Sequence, residues 1–159
     1  MQNSNINDNS ISDSVVGIEF SGVNTLNISN NFVSTSTGAI WQKGNASKIN
    51  ILGNNLIISG NSTGLYMRGI VDRYIITENI VEFTGATTAS GVRVTQGENG
   101  NISNNIIQGL IGYGVRLEAT NNTIVKGNTV LNATNPSQDL GSFNLFRLNK
   151  GINDNKITG

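Results

Sequence analysis

One pattern recurs along the whole chain: an apolar residue, two residues of any type, an asparagine, one further residue and a second apolar residue. The stretch "NGNISNNIIQG" at residues 99–109 contains one copy of seven. The asparagines of the seven copies are Asn9, Asn31, Asn54, Asn79, Asn105, Asn128 and Asn155. Their separations of 22, 23, 25, 26, 23 and 27 residues lie in the range of solenoid repeats, so we predict stacked coils with loops of unequal length.

A second signature lies between consecutive asparagines, where a glycine precedes alternating apolar residues. It occurs in the segments Gly17–Phe20, Gly38–Trp41, Gly64–Met67, Gly91–Val94 and Gly114–Leu117, and we interpret Leu145–Leu148 as a copy without the glycine. Each repeat therefore holds two or three short runs of period two, separated by Asn, Gly, Ser and Thr, which indicates strands and turns. The leucine spacing of leucine-rich repeats and the 3.6-residue period of helical repeats are both missing.

These repeats predict an all-β fold, a right-handed parallel β-helix of about seven coils of 22–27 residues, over a single domain of residues 1–159. In such a coil the repeated asparagine would accept left-handed backbone geometry at a turn. Its amide would bond to the equivalent amides one coil above and below, so that an asparagine ladder forms. We therefore interpret these asparagines as structural and not as ligand-binding residues.

Composition excludes several kinds of chemistry. Ten basic residues balance ten acidic ones, which gives no general attraction for nucleic acid or an anionic membrane. The absence of cysteine and histidine excludes disulfides, thiolate and imidazole metal sites and histidine-based catalytic triads, and we expect no metal and no cofactor. The sequence contains neither a run of about 18 apolar residues nor a signal peptide, so we expect no membrane insertion.

Together, the Ile-x-x-Asn-x-Ile and Gly-apolar-x-apolar signatures, over Asn5–Thr158, resemble the pectate-lyase-like parallel β-helix superfamily. That superfamily includes polysaccharide lyases, polygalacturonases, alginate epimerases and bacteriophage tailspike depolymerases, and the chain is most similar to a tailspike segment. The resemblance implies recognition of bacterial surface polysaccharide by a homotrimer on a virion tail or at a cell surface. The histidine-containing motifs of polygalacturonases and the aspartate cluster of pectate lyases are absent.

The coils begin within five residues of Met1 and continue to the terminus, so we expect a segment of a longer protein or a unit whose ends other subunits or domains cover. Three functions stay open at this point. The chain could bind polysaccharide, it could cleave it as a lyase or glycoside hydrolase, or it could be a structural solenoid or fibre spacer without a ligand.

The middle residue of each Gly-apolar-x-apolar strand should face solvent. This predicts one outward column of Glu19, Ile40, Tyr66, Arg93, Arg116 and Arg147, with Trp41 inside, and a second of Ser21, Gln42, Arg68, Thr95, Glu118 and Asn149. Arg93 and Arg116 would stack directly, which is unfavourable unless another group offsets the charge. Either Glu118 supplies that offset, or a substrate-binding strip of Tyr66, Arg68, Arg93 and Arg116 binds carboxylate-bearing sugars.

Two carboxylates are candidates for catalysis. Asp72 and Glu98 each lie seven residues before their ladder asparagine, which places them at one turn of adjacent coils. A close pair of carboxylates would have its pKa values pushed apart, as an acid and base pair for glycoside cleavage requires, or would share a cation. Ordinary acidic turn residues are the alternative, since Arg73 directly follows Asp72.

Two segments look like insertions between signatures. They are Asn132–Ser142, which contains the only proline, Pro136, and Thr84–Ser90. We expect both to project from the coil as loops, either as walls of a groove or as surface loops without a role.

Overall fold

The computed structural model describes residues 3–85, 88–147 and 149–151, and this part of the chain contains fourteen strands and no helix. No helix capable of crossing a membrane is found among these residues. The strands are β1 (Asn3–Asn7), β2 (Ser10–Phe20), β3 (Val23–Ser29), β4 (Phe32–Gln42), β5 (Ala46–Leu52), β6 (Asn55–Ile58), β7 (Leu65–Thr77), β8 (Ile80–Phe83), β9 (Ser90–Glu98), β10 (Gly100–Ser103), β11 (Ile106–Asn121), β12 (Ile124–Lys126), β13 (Thr129–Asp139) and β14 (Leu145–Arg147).

Every strand pairs in parallel with the equivalent strand of a neighbouring coil, which makes three faces. Face A contains β1, β3, β5, the end of β7, β10, β12 and β14. Face B contains the starts of β2, β4, β11 and β13 with β6 and β8. Face C contains the ends of β2, β4 and β13, the middle of β11, the start of β7 and β9.

The fold is thus an all-β parallel solenoid, as the repeat predicts, and the described residues form about six turns, compared with the seven predicted for the whole chain. Its core consists of inward residues that stack on equivalent residues of the next coil. On face A this column is Ile28, Ile51, Ile76, Ile102, Val125 and Phe146, and on face B it is Val33, Leu56, Val81, Ile107 and Val130. All eleven are buried, so each coil contributes apolar area from at least two sides.

The asparagine ladder is present at the corner between faces A and B. Asn79 shows its geometry: its Nδ2 donates to Asn105 Oδ1 at 3.0 Å and to the carbonyls of Ile51 and Thr77 at 3.0 Å. Its Oδ1 accepts from the backbone N–H and the Nδ2 of Asn54 at 3.0 and 2.9 Å. The side chain therefore satisfies turn groups in two adjacent coils, which explains why the asparagine recurs.

Left-handed geometry falls one residue earlier than predicted. At the ladder corner the residues with positive φ are those directly before the ladder asparagines, namely Asp8, Asn30, Gly53, Glu78, Asn104 and Gly127. The asparagines themselves are absent from this set, so that prediction is wrong. The preceding residue makes the turn, and the asparagine can then direct its amide into the coil, where its partners lie.

The predicted insertion Asn132–Ser142 is wrong, since most of it belongs to strand β13. Tyr113 aligns with Asn135 and Leu117 with Asp139. Among the described strands β13 pairs only with β11, so its other edge is free. Pro136 has no N–H to donate, and it is tolerated because no strand on that free edge needs the donor.

Because β13 includes residues that were predicted to form a loop, the residues after it occupy other positions in the coil than predicted. Leu145–Arg147 is β14 on face A, aligned with Ile124–Lys126, and is not a face C signature. Leu148 lies outside the described residues. Asn149 takes the next ladder position. Its Oδ1 accepts hydrogen bonds from the backbone N–H and the Nδ2 of Asn128 at 3.0 and 3.1 Å. The predicted ladder residue Asn155 lies outside the described residues.

One inward position of face A breaks the aliphatic stacking. Tyr74 is buried, and Gly100 of the next coil leaves room for its ring, because a Cβ at Gly100 would collide with it. The Tyr74 hydroxyl lies 2.6 Å from Thr123 Oγ1, and the N–H of Thr123 donates to Asn144 Oδ1 at 2.9 Å. Burial raises the pKa of Tyr74 well above its usual range, partly offset by the bond to Thr123.

Replacing Asn79 by alanine should lower the free energy of unfolding by about 3 kcal/mol or more, because several buried donors and acceptors lose their partner. Urea denaturation measures the change. Asn55→Ala, at an exposed position at the same corner of the preceding coil, is the control and should change stability by less than about 0.5 kcal/mol. Equal losses in the two variants would contradict a structural role for the ladder.

Stability should fall at high pH through Tyr74. The folded protein keeps the phenol proton that the unfolded chain releases above about pH 10, so the stabilising contribution is complete below that pH and decreases above it. Between pH 9 and 11, wild type should lose about 1 kcal/mol more unfolding free energy than Tyr74→Phe. All other residues are identical in the two proteins, so the difference between their profiles reports Tyr74 alone. Identical pH profiles would contradict this prediction.

Candidate ligand-binding face

The outward residues of face C form one column, which we call the face C column. Its members align in register in the order Glu19, Trp41, Tyr66, Arg93, Arg116 and Gln138. In-register strands place successive members about 4.8 Å apart along the solenoid axis. Tyr66, Arg93 and Arg116 therefore lie together, as the sequence predicts.

Two members of the predicted columns, Ile40 and Gln42, are misplaced because one signature is offset by a residue. Ile40 aligns with Ile18 and Leu65 and is buried, so Trp41 and not Ile40 faces outward. Gln42 is also inward, where its Nε2 donates to Gly44 O at 2.7 Å. The cause is Ala39, an additional small residue between the glycine of this signature and the inward apolar residue.

Two further members of those columns belong to other parts of the coil. Arg147 lies on face A, where it aligns with Lys126, and Gln138 takes its predicted place beside Arg116. Asn149 is a ladder residue and not a face C residue. Both errors follow from reading the face C strand of the last coil as an insertion.

Aromatic rings and guanidinium groups contact one another along the column. The rings of Trp41 and Tyr66 meet edge to face with centroids 6.1 Å apart, and Trp41 Nε1 donates to Thr63 O at 3.0 Å. The Arg93 guanidinium carbon lies 5.0 Å from the Tyr66 ring centroid, and that of Arg116 lies 5.0 Å from the Tyr113 centroid. Because each group packs on a ring, the donors are held in place before any ligand arrives.

Glu118 contacts both arginines through one carboxylate oxygen. Arg93 donates to Glu118 Oε1 from Nη2 at 2.8 Å and from Nε at 3.1 Å. Arg116 Nε lies 3.0 Å from the same oxygen as an ion pair, without the angle of a hydrogen bond. The structure thus confirms that Glu118 offsets the arginine repulsion. Two cations share one anion, so a surplus of one positive charge remains.

A depression of about 280 Å³ opens beside this cluster at the corner between faces B and C. Trp41, Tyr66, Arg93 and Arg116 line one side, and residues 61–63 and 88–90 line the other. Thr88 N donates to Asn61 Oδ1 at 3.0 Å and joins the two loop segments. Residues 88–90 of the expected loop Thr84–Ser90 therefore wall the depression.

Arg68, the fourth residue of the predicted strip, lies at its margin. Its side chain is exposed and is not among the residues that line the depression. Its backbone carbonyl accepts from Thr95 Oγ1 at 2.8 Å. The structure therefore groups three of the four predicted binding residues and leaves Arg68 at the edge.

Asp72 and Glu98 occupy equivalent positions in adjacent coils. Val71 aligns with Gly97 and Tyr74 with Gly100, and Asp72 and Glu98 have the same 26-residue separation. Both side chains are exposed, and Asp72 Oδ2 lies 3.4 Å from Arg73 Nε. In residues 3–85, 88–147 and 149–151 no group of three acidic, histidine or cysteine residues is arranged to hold a metal. Catalysis by this pair stays a prediction.

Sequence reasoning missed Trp41, Tyr113 and the loop residues 61–63. Trp41 would have been found by aligning the inward residues Ile18, Ile40 and Leu65 instead of the glycines. Tyr113 lies just before a signature glycine, and no pattern in the sequence marks it. The loop residues follow the face B strand of their coil, and only the folded coil brings them beside face C.

Replacing Glu118 by glutamine should lower the free energy of unfolding by about 1 kcal/mol, because two partly buried guanidinium groups lose their shared anion. Urea denaturation at low and high salt measures this loss, which should shrink as salt screens the remaining repulsion. Glu19→Gln removes the exposed pair with Lys43 and should cost less than about 0.5 kcal/mol. A larger effect at Glu19 than at Glu118 would contradict the assignment.

Comparison of the chain with models of protein families, with curated proteins and with solved structures gives no match.

Proposed function

We propose that this protein binds an extended acidic polysaccharide along face C. The observation that carries the proposal is the face C column, in which two aromatic side chains and two arginines follow one another in register beside an open depression. A polymer of repeating units suits such a surface, because the column itself repeats about every 4.8 Å.

Charge favours an acidic ligand. Glu118 neutralises one of the two guanidinium groups, and in the part of the chain that the structure describes no residue accepts a hydrogen bond from the Nη groups of Arg116. A guanidinium with free Nη groups binds a carboxylate through two parallel hydrogen bonds. A uronic acid or another carboxylate-bearing sugar would supply that group in the depression.

Ring stacking favours a carbohydrate over a simple anion. Tyr66 and Trp41 are half-buried, and each presents part of its ring at the surface of the depression. The apolar face of a pyranose packs on such rings, while polar groups of the corner loops Asn61–Thr63 and Thr88–Ser90 can bond to its hydroxyls.

The source of the polysaccharide is a further part of the proposal. The resemblance of the repeat to tailspike β-helices supports a bacterial surface glycan, bound by a homotrimer on a virion tail or at a cell surface. A relationship to pectate-lyase-like proteins would also be consistent with polysaccharide binding on face C, since those proteins and tailspikes share the parallel solenoid.

Cleavage of the polysaccharide is the second candidate. It is favoured by the equivalent placement of Asp72 and Glu98 in adjacent coils, from which two carboxylates could act on one sugar. These residues lie beyond the corner between faces C and A and do not line the face C depression. Binding without cleavage therefore accounts for more of the geometry.

Wild-type protein should bind acidic polysaccharides, such as polygalacturonate, alginate or acidic bacterial capsules, and should not bind neutral dextran. Affinity electrophoresis measures retention, and the fluorescence of Trp41, the single tryptophan, reports occupancy of the depression. Arg93→Gln with Arg116→Gln should weaken binding at least about tenfold, which corresponds to 1.4 kcal/mol. Arg147→Gln, which removes a cation from face A, should bind like wild type.

Three outcomes separate the candidate functions. Retention of intact polymer supports the proposal, and release of new chain ends that Glu98→Gln abolishes supports cleavage. Neither retention nor release would overturn both and favour a structural solenoid. Equal binding by the double arginine variant and by wild type would show that face C is not the site.

A further inference from the structure

We propose a second anion-binding site on face A, centred on Lys48 and Arg73, for a small acidic ligand with an apolar ring face. Lys48 and Arg73 align directly in adjacent coils, so their side chains start about 4.8 Å apart on the outer surface of one sheet. The site shares no residue with the face C depression and does not depend on the function proposed for it.

The Lys48 and Arg73 pair lacks the shared carboxylate that offsets the Arg93 and Arg116 pair on face C. Arg93 and Arg116 share Glu118, whereas Lys48 forms no ion pair with any residue that the structure describes. Arg73 has only Asp72, whose Oδ2 lies 3.4 Å from its Nε, and both side chains are more than half exposed. Like charges directly opposite each other in a sheet repel, so an anion between Lys48 and Arg73 would relieve an unfavourable contact.

A depression of about 320 Å³ lies beside these cations. Its lining provides three kinds of surface. Lys48 and Arg73 provide positive charge, Asn50 and Asn99 provide polar groups, and Ile75 provides apolar surface. Ile75 is 41% exposed and contributes an apolar side chain to the lining of this depression. The depression therefore offers more than attraction for a bare ion.

The positions of these residues define how a ligand would lie. Lys48 and Arg73 stand in one outward column, and Asn50 and Ile75 stand in the next column of the same two coils. Asn50 Nδ2 donates to Asn27 Oδ1 at 2.7 Å, which leaves Asn50 Oδ1 to accept from a ligand hydroxyl. A carboxylate, sulfate or phosphate would bind between the two cations while an attached ring packs on Ile75.

Titration of isotope-labelled protein with galacturonate, followed by amide chemical shifts, tests the site. We expect shifts at Asn50, Ile75 and Asn99 that saturate at millimolar concentration. Acetate, which carries the charge without the ring, should bind at least about fivefold more weakly, and galactose, which carries the ring without the charge, should cause no shifts there. Shifts on face C would report the other site separately.

Variants decide which residues are responsible. Lys48→Gln with Arg73→Gln should abolish the face A shifts, and Lys126→Gln, which removes a cation elsewhere on face A, should retain them. The arginine variants of face C should also retain them, so failure of one site is distinguishable from failure of the other. Absence of saturation with galacturonate, equal binding of acetate, or persistence of the shifts in the Lys48 and Arg73 double variant would each overturn the proposal.

Discussion

The register between coils is the constraint on which the rest of this structure depends, and the asparagine ladder is its most specific determinant. A ladder amide bonds to the next ladder residue, and Asn79 also bonds to a backbone carbonyl of its own coil and to one of an adjacent coil, through Thr77 and Ile51. A coil that slipped by one residue would lose these bonds and would turn every inward side chain outward. Hydrophobic stacking supplies most of the stabilisation, but it tolerates exchange among Ile, Val and Leu and so specifies alignment less strictly.

Fixed register has a direct consequence for the outer surface, because outward residues must stack on equivalent outward residues. Charges that a globular fold would separate are therefore placed about 4.8 Å apart when they occupy equivalent positions. In the described residues three pairs of basic side chains align in this way. Arg93 and Arg116 share Glu118, whereas neither Lys48 with Arg73 nor Lys126 with Arg147 shares a carboxylate. A solenoid can thus concentrate charge on one face even when the whole chain has a net charge of zero.

The sequence was sufficient for the fold because the ladder and the inward residues repeat, and each repeat confirms the others. It was insufficient wherever one coil departs from the rest. Aligning signatures on glycine misplaced Ile40 and Trp41, since Ala39 adds a residue that only the register with Leu65 reveals. Reading Pro136 as a loop signal hid a strand, because an edge strand needs no donor on its free side. The candidate site was incompletely predicted for the same reason. Its loop residues 61–63 have no equivalents in the other coils, so no repeated pattern identifies them.

These departures from the repeat are also where a binding site can arise. Asn54, Asn79 and Asn105 are separated by 25 and 26 residues, compared with 22 and 23 for the two preceding intervals. The additional length lies at the corner between faces B and C. In the first two coils a single strand, β2 or β4, continues through this corner, whereas residues 59–64 connect β6 to β7 and a second connection follows β8. Segments of these connections wall the depression beside Arg93 and Arg116. The regular positions of the coil therefore set the spacing of the face C column, and the irregular corner gives that column a depression into which one side of a ligand can fit.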